Sequence, residues 1–366
     1  MEKPHVTVKG FDRPYIEFTR NATTGEGVVP PELIRCRMCG LWGDTRKGDL
    51  KPGSMNVETF TSIMDHIARE APVAEVSLTP RGELFCNPHA LDICRCVQQA
   101  GRSLDFVTNA TLLDDDTIRE LFTMNLHSIR VSVDGLLPET YAEIRGRDRL
   151  ETVVQNIHKL CVANVSRPTG DQVSIILNFV LQDRNAHELV PFVRFWGPRV
   201  SRISILKWNT DTDSPLNAKR INRKFLKPPR YPCVFPWIHT FIDVEGDVYP
   251  CCADGFVSMK MGNVLEQPLK KIWLNDKYMK LRQAHLSGDF SEFPVCTACD
   301  YWNLAQRSGS FTLDNRTYAL VEYNSSLDLN ATKDIYVTSL SFESYLTDVK
   351  RLMQCANTDP ETLLGG

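Results

Sequence analysis

Between residues 15 and 207 the chain alternates strand patterns with helix patterns, and no other feature limits its fold as much. The strand candidates are Tyr15–Thr19, Ala74–Leu78, Ser103–Thr108, Ser128–Val133, Gln172–Val180 and Val200–Lys207. Between them lie helix candidates at Val57–Glu70, His89–Ala100, Asp115–Met124, Pro138–Ile144, Leu150–Val162 and Ala186–Phe195. In the first of these, Val57, Phe60, Ile63, Met64 and Ile67 recur at helical spacing, and Asn56 stands where an N-cap belongs. Strands separated by helices predict an α/β fold with a parallel sheet, open or curled into a barrel. In such folds ligands gather at the carboxyl ends of the strands.

The pattern changes near residue 208. Lys219 to Arg230 reads as a linker rich in Lys, Arg and Pro. A smaller cysteine-bearing unit runs from Cys233 to about Trp302, and a hairpin (Phe311–Tyr323) and a helix (Phe342–Cys355) follow. The net charge of −3 gives no bulk attraction for nucleic acid or anionic lipid. The longest apolar run, Val173–Leu181, is interrupted by Ser174 and Asn178 and is too short to span a bilayer. Met1 to His5 holds no apolar segment of signal-peptide type, so the expected compartment is the cytoplasm. Twelve cysteines in a reducing compartment point to metal or redox chemistry rather than to disulfides.

Four short motifs follow four successive strands. Cys36-x-x-Cys39 offers two thiolates from one tight turn; by itself it reads equally as a zinc half-site, a redox dithiol or a chance pair. Thr79–Phe85 contains Arg81-Gly82-Glu83, where Gly permits close backbone approach and Glu can bond an ammonium group. Taken alone, it is more readily a helix-entry loop. Val107–Leu113 carries Asn109 in a capped turn. Ser132-Val133-Asp134-Gly135 ends the fourth strand and reads either as a strand-to-helix turn or as a binder of ribose hydroxyls. A fifth constellation is Cys233, Cys251-Cys252, Cys296 and Cys299. Four thiolates from three segments close a four-cysteine site, and spacing alone does not decide between structural zinc and iron–sulfur.

The order of the first four motifs, with the stretch Thr108–Leu160, resembles the radical S-adenosylmethionine (SAM) superfamily over about residues 12–302. The resemblance implies a partial parallel (β/α)6 barrel. It assigns Cys36 and Cys39 to a [4Fe–4S] cluster, Gly82 and Glu83 to the methionyl amino group of SAM, and Asn109, Ser132 and Asp134 to its adenosyl part. The words around Cys233, Cys251, Cys296 and Cys299 resemble twitch/SPASM-type domains, which implies an auxiliary [4Fe–4S] cluster on these four residues. The implied division is 1–215 for the barrel, 216–305 for the auxiliary domain and 306–366 for an extension without assigned role. The implied chemistry is electron transfer to SAM, release of a 5′-deoxyadenosyl radical and hydrogen abstraction from substrate. A small-molecule substrate and an oxidative or related tailoring reaction are implied, with peptide modification as the alternative. A flavodoxin- or ferredoxin-type electron donor is also implied.

One position departs from the family. Its C-x3-C-x2-C loop has Glu32 where the first cysteine belongs, and no cysteine precedes Cys36. A carboxylate is a harder ligand than a thiolate and suits cluster iron less well. Three arrangements stay open: Glu32 as an oxygen ligand, Cys86 as the third thiolate, or no third ligand. The last leaves a non-catalytic iron–sulfur or SAM-binding scaffold.

Overall fold

The computed structural model describes residues 15–18, 36–37, 54–72, 74–78, 82–207, 230, 232–233, 235–251, 258–299, 310–313, 316–319, 323–324 and 340–354. In chain order its first half comprises β1 (Tyr15–Phe18), α1 (Val57–Glu70), β2 (Glu75–Leu78), α2 (Ala90–Gln99), β3 (Leu104–Thr108), α3 (Asp115–Leu121), β4 (Leu126–Ser132), α4 (Pro138–Arg145), α5 (Leu150–Val165), β5 (Ser174–Leu181), α6 (Leu189–Trp196) and β6 (Arg202–Lys207). All six expected strands form. Then come α7 (Phe235–Ile238), β7 (His239–Ile242), β8 (Asp247–Tyr249), β9 (Gly262–Asn263), α8 (Leu269–Trp273), α9 (Asp276–Ser287) and α10 (Pro294–Ala298). The end of the chain holds β10 (Ser310–Leu313), β11 (Arg316–Ala319), β12 (Tyr323–Asn324) and α11 (Phe342–Gln354).

The chain divides into two compact units. The first gathers Met1–Val28, Arg46–Leu104 and Thr210–Gln306; the second gathers Val29–Thr45, Asp105–Asn209 and Arg307–Gly366. In the first unit the strand order is β2-β1-β7-β8-β9. β1 pairs in parallel with both β2 and β7, and the chain then turns back antiparallel through β8 and β9. Helix α1 lies in this unit and starts as expected. The Asn56 side chain accepts from the Thr59 N–H at 2.7 Å, satisfying one of the open donors of the first turn. Its Phe60, Ile63, Met64 and Ile67 are all buried, each burial worth about 1.5–3 kcal/mol.

In the second unit the strand order is β12-β6-β5-β4-β3. β4 with β5 and β5 with β6 run parallel, as expected for strands joined through helices. The expected terminal hairpin is present as β10 and β11, which pair antiparallel with Ser310 opposite Ala319. β12 adds an antiparallel edge to β6. Helix α11 buries Tyr345 and Val349 in this unit. Phe195 of α6 meets Tyr345 edge-on, with ring centroids 4.9 Å apart. Among the described residues no helix is long and apolar enough to cross a membrane.

Candidate functional site

In the second unit the turns after β3 and β4 carry the motif residues. After β3, the Asn109 side chain accepts from Thr111, from its N–H at 2.8 Å and from its hydroxyl at 2.5 Å. Ala110 is held at φ 61°. Left-handed backbone is unusual for a residue with a Cβ, and here three bonds enforce it. Thr108 Oγ1 accepts the Ala110 N–H, the Asn109 turn follows, and Asn156 Nδ2 donates to the Ala110 carbonyl at 2.9 Å.

After β4 the same device recurs at Asp134, whose φ is 62° and whose side chain is fully buried. Its Oδ1 accepts the Val180 N–H at 2.6 Å. Its Oδ2 pairs with Arg145 Nη2 at 2.6 Å. Gly135 is required next to it. A Cβ there would stand 2.8 Å from the Tyr141 nitrogen, so α4 approaches this turn closer than any side chain allows. Ser132, the last residue of β4, is half-buried.

Arg145 ends α4 and connects this turn to Cys36. Its Nη1 donates to Cys36 Sγ at 3.4 Å, and the Arg37 N–H donates to the Ile144 carbonyl at 3.0 Å. Burial works against the Arg145 charge, but Asp134 and Cys36 more than offset it and hold the guanidinium above its ordinary value. Burial pushes the Cys36 thiol up, opposed by Arg145. The sequence reading missed Arg145. It sits among Arg147 and Arg149, which looks like a solvated charge cluster. The available signal was its place four residues after Tyr141, on the face α4 buries.

The first unit holds the remaining motif residues. Gly82 is half-buried and Glu83 is buried; the Glu83 carboxylate caps the short turn Leu84–Cys86 by accepting from the Phe85 N–H at 3.4 Å. Cys86 is buried too, and burial, together with the Glu83 charge, pushes its thiol up to about 12. Glu32, Cys39 and Arg81 lie outside the described residues.

The auxiliary cysteines also lie in the first unit, Cys233 and Cys296 buried, Cys251 and Cys299 half-buried. The Cys233 N–H donates to His285 Nδ1 at 3.4 Å. Burial, then the nearby Arg230 charge, lowers His285 to about 4, so its imidazole is a neutral acceptor. Arg230 Nη2 donates to the Cys296 carbonyl at 2.6 Å, and the guanidinium lies 4.1 Å from the centre of the Phe290 ring. Zinc at about 2.3 Å from each sulfur would draw the sulfurs to within about 4 Å of one another. Among the described residues no three of these sulfurs lie within 4.8 Å of one another.

The described residues do bring together one carboxylate group of three, Asp243, Glu245 and Asp247. It forms the β7–β8 turn: Asp243 Oδ1 accepts the Glu245 and Asp247 N–H groups, and Lys260 Nζ pairs with Asp247 at 2.5 Å. These contacts account for it as a turn.

Two family models match the chain. "Radical SAM superfamily" covers residues 34–195, and "Iron-sulfur cluster-binding domain" of the SPASM type covers 233–300. The chain is 26% identical over 294 residues to the AdoMet-dependent heme synthase of Methanosarcina barkeri, covering 68% of this chain and 80% of that one. Its fold is similar to that of BtrN in complex with AdoMet and 2-DOIA, with TM-score 0.51 and 16% identity over 79% of this chain and 93% of that one. It is also similar to that of Streptococcus suis SuiB bound to S-adenosylmethionine, with TM-score 0.57 and 15% identity over 81% of this chain and 75% of that one. SuiB has also been solved bound to the precursor peptide SuiA. The chain belongs to the radical SAM superfamily and carries a C-terminal SPASM-type iron–sulfur domain.

Proposed function

We infer that the chain is a radical SAM enzyme that abstracts hydrogen from a small-molecule substrate, in an oxidation or related tailoring reaction supported by an auxiliary [4Fe–4S] cluster. Its family's domains use SAM and [4Fe–4S] clusters as cofactors. The observation that carries the reading is the contact of Cys36 with Arg145, which in turn pairs with Asp134 and so ties the cluster-loop cysteine to the turn after β4. Bound SAM supplies the 5′-deoxyadenosyl radical. The chain's own residues bind, orient and exclude competing reactions.

Cys36 and Cys39 are the proposed thiolates of the SAM cluster, with Glu32 and Cys86 as the open choices for a third ligand. Gly82 and Glu83 are assigned to the methionyl amino group, and Asn109 and Ser132 to the adenosyl part. Asp134 belongs to the same set but acts through the backbone it fixes, since both its oxygens are engaged by Arg145 and Val180. Cys233, Cys251, Cys296 and Cys299 are assigned to the auxiliary cluster. The proposed division, 1–215, 216–305 and 306–366, gives radical chemistry to the first part and the auxiliary cluster to the second. A single four-thiolate auxiliary set and the fold shared with BtrN favour a small molecule; the fold shared with SuiB keeps a peptide as the alternative. A flavodoxin- or ferredoxin-type donor supplies the electron.

A second reading, a SAM-binding or iron–sulfur scaffold without catalysis, is favoured by Glu32 in place of the first cysteine. Anaerobic reconstitution with iron and sulfide separates the two. The enzyme reading expects about eight irons per chain, about four of them lost in Cys36→Ala, and 5′-deoxyadenosine after dithionite reduction with SAM. About four irons, unaffected by Cys36→Ala, sinks the radical mechanism. Eight irons without 5′-deoxyadenosine above background favours the scaffold.

A further inference from the structure

The 340–354 segment lies outside both matched family regions, yet it reaches the turn after β4. Tyr345 of α11 is fully buried, and its hydroxyl donates to the Leu136 carbonyl at 2.7 Å. The other side of that residue is held as well. The Leu136 N–H donates to Glu188 Oε2 at 2.6 Å. One residue pair earlier, Asn185 Nδ2 donates to the Asp134 carbonyl at 2.9 Å and to the Val180 carbonyl at 2.9 Å. Asn185 is itself fixed, because its Oδ1 accepts the Gln182 N–H at 2.7 Å. Asn185 and Glu188 are fully buried, so each bond in this network replaces water that cannot enter.

The phenol has little freedom. Phe195 meets its ring edge-on at 4.9 Å, and Phe342, one turn earlier on α11, stacks on it at 5.5 Å with planes 13° apart. Burial and the Glu188 charge both hold the hydroxyl protonated, so it is available as a donor here. The turn it supports needs support. Asp134 sits in left-handed backbone, which disfavours a non-glycine residue and persists only where neighbours enforce it.

We propose that Tyr345 is a positioning residue: through Leu136 it holds the Asp134–Leu137 turn in the conformation that receives SAM, making α11 part of the SAM-binding apparatus. The inference rests on the SAM-binding reading above. It deepens that reading by giving the C-terminal helix a task.

The test compares full-length wild type, Tyr345→Phe and Val349→Ala, all reconstituted anaerobically. Tyr345→Phe removes one hydroxyl and keeps the packed ring. Val349→Ala removes packing from the same helix and no hydrogen bond. Amide hydrogen exchange over residues 134–141 is measured first, without SAM. SAM affinity is then measured by equilibrium binding, with iron content as a control. The proposal expects faster exchange in that segment for Tyr345→Phe and a dissociation constant for SAM raised about five- to tenfold, with iron unchanged. Unchanged exchange overturns it. Faster exchange with unchanged SAM affinity also overturns it, as does an equal loss of affinity in Val349→Ala, which would assign the effect to packing. If wild type binds no SAM, the reading of the site has failed, and exchange alone then decides whether Tyr345 holds the turn.

Discussion

Arg145 and Asp134 form a buried ion pair, Nη2 to Oδ2 2.6 Å, with side chains 6% and 0% exposed. The same guanidinium donates to Cys36 at 3.4 Å, so one arginine serves two partners, a carboxylate and a cysteine sulfur, from two segments far apart in sequence. A planar fork suits this; an ammonium group would serve one partner at a time.

Breaking this pair from one side leaves an uncompensated buried charge, which typically costs about 3–5 kcal/mol. Arg145→Gln and Asp134→Asn are each expected to lower stability, and Arg145→Lys to recover only part of the loss. The double variant Asp134→Asn/Arg145→Gln should lose clearly less than the sum of the single losses, because neither charge is then stranded. Urea unfolding of wild type and the four variants measures this. Additive losses would mean the pair is not coupled.

Much of the fold was legible because its signals are periodic and local. The Asn56 cap and the apolar face of α1 depend on residues within a few positions of one another, and β4, β5 and β6 are each legible as a local strand pattern even though they pair residues far apart in sequence. The motif turns were legible as turns too, since Asn109 and Asp134 sit where short polar side chains stabilise left-handed backbone. What was not legible is which partners those side chains take. Arg145 meets Cys36 across 109 positions, and Tyr345 meets Leu136 across 209. No pattern within one segment encodes such pairs. Asp134 illustrates the consequence: its place at the end of β4 suggested a ligand contact, and its oxygens meet the Val180 N–H and Arg145 within the protein.

Gly135 gives a second prediction. In Gly135→Ala the new Cβ meets the Tyr141 nitrogen at 2.8 Å and its Cα at 2.9 Å, both backbone atoms of α4 that cannot swing aside. Either the turn or the helix must shift, at a cost of about 1–3 kcal/mol. A lower melting temperature together with weaker SAM binding is expected. An unchanged melting temperature would contradict the close approach of α4.

Glu188 makes a pH prediction. Burial raises its carboxyl above the ordinary value, with hydrogen bonds from Thr140 and the Leu136 N–H opposing. A raised folded pKa means the native state keeps its proton to higher pH than the unfolded chain, whose value is about 4.3. Its contribution to stability is therefore full below that pH and is lost as pH rises through the folded pKa. Glu188→Gln keeps an acceptor for Leu136 and carries no charge. Its melting temperature should exceed that of wild type at pH 8, with the gap closing towards pH 4. A gap that does not vary with pH would count against the buried charge.

The auxiliary site offers a prediction read from an electrode potential rather than from turnover. Arg230 holds the Cys296 carbonyl at 2.6 Å, and its charge pulls the Cys233 thiol down against the larger effect of burial. A positive charge beside a cluster favours the state carrying one more electron, so it raises the reduction potential. In Arg230→Gln the auxiliary cluster should keep about four irons while its potential moves to more negative values. Arg230→Lys, which restores the charge but not the fork, should move part of the way back. The measurement is a potentiometric titration followed by electron paramagnetic resonance, made on a Cys36→Ala background so that the auxiliary cluster alone contributes. An unmoved potential with a lowered melting temperature would reduce Arg230 to a strut for the Cys296 segment. A potential that follows the charge would make Arg230 the residue that sets how readily this cluster accepts an electron.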